Sequence, residues 1–113
     1  MDIDAILKQV MEHQAPDLHL KVGRGPVIRL PSGELFFSDG AGSGGGAPIL
    51  SEPEILEVAR KVAGPEKFSI FEQHKEVDFS YGSPVGRFRV NLYRDKEGVA
   101  MAFRTIPEKP PAL

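Results

Sequence analysis

Cysteine is absent from the 113 residues, and so is tryptophan. Without cysteine the chain can build no disulfide framework, no thiolate nucleophile and no cysteine-ligated zinc site. That composition is compatible with a reducing compartment. An excess of charge of either sign is missing too: 14 basic residues stand against 16 acidic ones, a net charge of −2. Such a balance supplies no bulk attraction to nucleic acid or to anionic lipid, so no nucleic-acid partner is expected. Long apolar runs are lacking, and none approaches the ~20 residues that cross a bilayer. The opening "MDIDAILKQVMEHQ" carries acids where a secretory signal would carry lysine or arginine. The expectation from these absences is a soluble cytoplasmic domain.

What is present suits one such domain. The length fits a single folding unit, able to remove roughly 60–70% of its extended-state surface from water. The 41% apolar content is that of an ordinary globular chain. Glycine and proline are plentiful, at 12 and 10 residues. One glycine run, "GAGSGGGA" from Gly40 to Ala47, satisfies G-x-G-x-x-G through Gly40, Gly42 and Gly45. A phosphate loop needs a preceding strand and a helix that starts directly from it, so that free backbone N–H groups face the anion. Here Pro48 and "ILS" intervene, and no Lys-Ser or Lys-Thr follows. The run reads instead as a flexible connection whose ends lie roughly 15 Å apart.

Hydrophobic periodicity places the elements. Ile3, Ile6, Leu7, Val10 and Met11 recur at helical spacing, with Asp2 and Asp4 near the positive end of the helix dipole, until Pro16 intervenes. "DLHLKV" alternates, with Leu18, Leu20 and Val22 on one face and Asp17, His19 and Lys21 on the other. "VIRL" and "LFF" read as two further strands separated by "PSGE". Ser51 followed by Glu54 has the capping-box form, and Ile55, Leu56, Ala59, Val62 and Ala63 mark a helical stripe ended by Gly64-Pro65. A short second helix over 66–73 would turn Phe68 and Phe71 inward. The last third is a strand meander: "VDFSY", "GRFRVNLY" and "VAMAFRTIP" put Val77, Phe79, Tyr81, Phe88, Val90, Leu92, Val99, Met101 and Phe103 on apolar faces. Sheet faces that need cover, with helices available to supply it, imply an antiparallel sheet under helices, an α+β domain.

The informative polar residues are arginines. If the apolar residues of the last two strands share one face, Arg87, Arg89 and Arg104 share the other. Like charges opposite each other on a sheet are destabilising, and the rest of that outer face on these two strands, Ala100, Ala102 and Asn91, is small or neutral and offers poor compensation. Asp78 on the preceding strand is placed to neutralise one guanidinium, and glutamates elsewhere could serve the others. Two readings stay open: arginines satisfied by local acids or by water, and a cluster poised for an anion such as phosphate, whose geometry guanidinium forks match. His13, His19 and His74 fall on three different elements and are read as ordinary surface or hydrogen-bonded histidines, with no metal site. Paired acids such as Glu52 with Glu54, or Glu72 with Glu76, fit caps and solvated helix faces. No catalytic constellation is readable.

The ordered set "APDLHLKVGRGPVIRLPSGEL", "DFSY", "RFRVN" and "FRTIP" resembles the N-terminal domain of the type II/type IV secretion and pilus motor ATPases, the pilus retraction ATPases in particular, over residues 1–107. The resemblance implies a PAS-like antiparallel sheet of about six strands covered by helices. It implies a parent in which a C-terminal RecA-like domain hydrolyses ATP with magnesium within a homohexameric ring. The partners it implies are the RecA-like domains of the same and neighbouring subunits and the inner-membrane platform proteins of the pilus machinery, with the motor peripheral to that membrane. By the same resemblance, Arg87, Arg89 and Arg104 are the nucleotide-contacting positions, while Asp17 and His19 are structural. Residues 108–113, in the proline-rich "PEKPPAL", would begin the linker. The loop at 38–48 is longer and richer in glycine than the family's turn, and no Walker A or Walker B sequence is present, so this chain alone is expected to be no enzyme. Alternatives of other kinds are a stand-alone PAS-like sensor with a ligand inside its sheet, an assembly-only remnant, and the equivalent domain of a pilus extension or secretion ATPase.

Overall fold

A computed structural model describes residues 2–36 and 49–106, with the backbone alone at 34–36. The glycine run and the 108–113 linker both lie outside the described residues, as does Phe37 of the "LFF" strand. The elements follow as α1 (Ile3–Glu12), β1 (Asp17–Lys21), β2 (Val27–Leu30), β3 (Gly33–Phe36), α2 (Glu52–His74), β4 (Glu76–Ser83), β5 (Gly86–Asp95) and β6 (Gly98–Ile106). All six strands join one antiparallel sheet in the order β3-β2-β1-β6-β5-β4. The α+β, PAS-like architecture expected from the sequence is the one found.

Local chemistry starts each helix. Asp2 caps α1, its carboxylate accepting from the backbone N–H of Asp4 and Ala5 at 3.1 and 3.2 Å. Ser51 and Glu54 form the reciprocal capping box at the start of α2, with Glu54 Oε1 accepting from the Ser51 N–H at 2.9 Å. The two helices anticipated between residues 51 and 73 are both present, joined end to end as α2. Its path breaks at Gly64, which takes φ +79° and ψ 167°. A side chain there would be strained, so glycine provides the bend and Pro65 opens the second segment. Lys75 closes α2 in a left-handed conformation, donating its N–H to the Phe71 carbonyl at 2.7 Å.

Both helices cover the same side of the sheet. Ile3, Ile6, Leu7 and Val10 of α1 and Ile55, Val58, Ala59, Val62, Phe68 and Phe71 of α2 share one core with Leu18, Leu20, Phe88, Val90, Leu92, Met101 and Phe103 of the strands. Met11, expected in the apolar stripe of α1, is exposed instead. The Phe88 and Phe103 rings meet edge to face at 6.4 Å, a favoured geometry for two quadrupoles. Two polar anchors tie the layers. Asp4 accepts from the Tyr81 hydroxyl at 3.0 Å and from Lys61 Nζ at 3.3 Å, linking α1, β4 and α2. Glu52 accepts from the Val99 N–H at 3.2 Å and from Arg94 Nη1 at 3.5 Å, linking α2 to the β5–β6 hairpin. No helix among the described residues is long and apolar enough to cross a membrane.

Candidate functional site

Side chains alternate between the faces of a strand, so covering one face with helices turns every second residue to the opposite face, which no helix among the described residues covers. Arg94 shows how strict this parity is. It pairs with Val99 on the helix side and spends its charge on Glu52 and on the ring of Phe71, 5.9 Å away. Arg87, Arg89 and Arg104 have the other parity. Their shared face, expected from the alternation, is confirmed by the register, which sets Arg89 directly opposite Arg104 and Arg87 opposite Ile106.

Because β1 lies next to β6, that register continues across the sheet. Arg29 of β2 faces Asp17 of β1, Asp17 faces Arg104 of β6, Arg104 faces Arg89 of β5, and Arg89 faces Ser80 of β4. At ~4.8 Å per strand the row extends for about 20 Å. Its charges read positive, negative, positive, positive, neutral. Opposite charges alternate until β5, where two guanidinium-bearing positions meet with no acid between them.

The bonding follows this order. Asp17 Oδ1 accepts from Arg104 Nε at 3.0 Å, with 18% of the aspartate side chain exposed against 72% of the arginine. The terminal amino groups of Arg104 have no partner among the described residues, and neither do the side chains of Arg87 and Arg89. Arg87 reaches across to β4, where its Nη1 lies beside Gly82, within ordinary contact distance of the place a Cβ would take.

One row along, His19, Ala102, Asn91 and Asp78 follow one another over β1, β6, β5 and β4. The small side chain of Ala102 leaves a shallow depression of about 310 Å³, with Arg29, Arg89, Arg104, His19, Asp17 and Asp78 around it. Asp78, expected to neutralise an arginine, is engaged otherwise. Asn91 Nδ2 donates to Asp78 Oδ1 at 2.9 Å and to Glu76 Oε2 at 3.1 Å. On this face Arg104 is paired with Asp17, to which the sequence reading gave a structural role only. Arg29 also belongs to the group, and sequence reasoning did not include it. Its outward parity was readable from Ile28 beside it, but its nearness to Arg104 depends on strand order. His13 and His74 stand at the ends of α1 and α2, apart from this face.

The depression offers no nucleophile with an aligned base. It offers fixed positive charge in forked geometry, which suits binding an oxyanion or offsetting charge that develops on one.

No family model matches the chain. Among curated proteins it is 34% identical over 110 residues to the type IV pilus retraction ATPase PilT of Pseudomonas aeruginosa, an alignment that covers 96% of this chain and 30% of that protein. It is 41% identical over 61 residues to a twitching motility protein of Neisseria gonorrhoeae, covering 53% of this chain and 16% of the relative. Among solved structures, the pilus retraction motor PilT with bound ADP superposes with a TM-score of 0.82 at 31% identity, over 98% of this chain and 31% of that one. The Legionella pneumophila ATPase DotB superposes at 0.75 with 21% identity, a likeness of fold, over 98% of this chain and 30% of that one. The chain thus spans less than a third of the length of these relatives. Across almost all of its own length, in sequence and in fold, it matches the N-terminal domain of the PilT family of pilus retraction ATPases.

Proposed function

We propose that this chain works as the N-terminal domain of a hexameric type IV pilus retraction ATPase, and that Arg87, Arg89 and Arg104 supply positive charge to nucleotide held by a RecA-like domain. The nucleotide would be ATP with magnesium, both bound by the RecA-like domains of the same and neighbouring subunits. The chain's own residues would contribute no bond-making step. They would pair with phosphate oxygens across a subunit boundary and favour the charge distribution of phosphoryl transfer. The motor would sit in the cytoplasm against the inner-membrane platform of the pilus machinery. The observation that carries this reading is the juxtaposition of Arg89 and Arg104 on the open face, where only one of the two has an acid. Like charges so placed repel, which is a cost that a phosphate partner would reverse.

The relatives' names support the retraction assignment. Two experiments test the proposal. Sequencing the encoding gene past Leu113 should reveal a P-loop, and a stop codon there would instead favour a stand-alone module. In the complete enzyme, Arg104→Ala should lower ATPase turnover by roughly tenfold or more while the domain stays folded. Unchanged turnover would remove Arg104 from the nucleotide site.

A further inference from the structure

We propose that Asp17 is a positioning residue for Arg104, holding it by one edge so that its terminal fork is presented to an oxyanion. This rests on the reading that the arginine row receives phosphate, and it assigns Asp17 a part in that site. A guanidinium has two edges that can grip an oxyanion, and a free arginine on a sheet surface samples many rotamers before either is used. Here Asp17 Oδ1 takes the Nε–H at 3.0 Å. Asp17 is itself the better-buried partner, and β1 is paired on both sides, with β2 and with β6. The anchor is therefore stiff and the arginine is the part that would otherwise move. Engaging Nε leaves the two terminal amino groups as the available pair of donors, the arrangement that makes bidentate contact with phosphate. The same bond keeps Arg104 next to Arg89 despite their like charge. Ordering a long side chain before the ligand arrives reduces the entropy lost on binding.

The sign of one substitution separates this role from simple electrostatics. Asp17 is a negative charge beside a proposed anion site. If charge alone mattered, Asp17→Ala would tighten anion binding. If Asp17 positions Arg104, the same change weakens it. The experiment titrates inorganic tripolyphosphate into the 113-residue chain and follows arginine Nε–H and backbone amide resonances. We expect saturable shifts at Arg89 and Arg104 in the wild type and a loss of affinity of about threefold or more in Asp17→Ala. Asp17→Asn keeps an oxygen acceptor without the charge and should bind at least as tightly as the wild type. In an Arg104→Ala background, Asp17→Ala should cause no further loss, because the group it positions is gone. Tighter binding by Asp17→Ala, or an equal loss from it with and without Arg104, overturns the positioning role. Failure of the wild type to bind tripolyphosphate, or binding unaffected by replacing Arg89 and Arg104 together, overturns the underlying anion site as well. The amide spectrum of each variant reports its fold, and Asp17→Ser replaces the alanine variant if that one unfolds.

Discussion

Arg89 faces Arg104 across β5 and β6, and Asp17 neutralises only the latter. Replacing Arg89 with threonine should therefore make the domain more stable. Directly opposite Cβ atoms on antiparallel strands are ~5 Å apart, and long side chains that avoid each other bring the two charges to a separation of roughly 7 Å. At that distance Coulomb repulsion is about 0.6 kcal/mol at the dielectric constant of water and about 1.2 kcal/mol at half that value. Arg87, on the same face two residues away, adds to the repulsion. The expected gain is about 0.5–1 kcal/mol at 20 mM salt, where the screening length is about 20 Å. It should largely vanish at 0.5 M, where that length is about 4 Å. Urea unfolding at the two salt concentrations measures this directly. The difference between salts is the decisive quantity, since the strand preference of threonine adds a share that salt does not touch. Arg89→Thr less stable than the parent at 20 mM salt, or a gain identical at both concentrations, would refute the idea of uncompensated positive charge on this face. A domain that becomes more stable on losing a residue has kept that residue for something other than folding.

The hairpin between β5 and β6 should be far less tolerant. Gly98 has φ +129°, and a Cβ there would lie 2.5 Å from Glu52 Oε1 and 3.3 Å from Val22 Cγ2. Gly98→Ala should push the Glu52 carboxylate off the Val99 N–H and cost about 2–4 kcal/mol in backbone strain and lost hydrogen bonding. A fall of less than about 3 °C in the thermal midpoint would contradict that. At alkaline pH, burial and then the bond to Asp4 push the Tyr81 hydroxyl up to about 12 from an ordinary 10.0. The raised value means that Tyr81 contributes its full stability below pH 10 and loses it as the pH climbs through 12. Tyr81→Phe should be about 1 kcal/mol less stable at neutral pH, and the gap between the two proteins should close over that alkaline range. Parallel unfolding profiles from pH 9 to 12 would exclude this.

The elements and their inner faces were legible because each depends on neighbours within a few residues. Asp2 and Ser51 cap the helices by accepting from backbone N–H groups two or three positions on, and Gly64-Pro65 interrupts α2 where a break was expected. Alternation in "GRFRVNLY" assigns Arg87 and Arg89 to one face with no knowledge of the rest of the chain. Where the expectation failed, burial decided otherwise. Met11 continues the apolar stripe of α1, yet it sits at the margin of the core beside Gly86, at the edge of the β4–β5 turn, and stays exposed. Ala100 was placed on the solvent side, and it does lie there, between Lys21 and Tyr93, but it is buried.

Which residues face away from the core was settled by the order of amino acids, since a period of two needs only adjacent side chains to express it. Which acid meets which arginine was settled by the fold. Asp17 and Arg104 are 87 positions apart, and they touch because β1 pairs with β6. Any strand with one apolar edge of alternation could have taken that neighbouring place with the same periodicity, and with it the partner of Arg104 would have changed. Strand order is chosen by how the whole set of faces packs beneath α1 and α2, a global condition that no short stretch of residues contains.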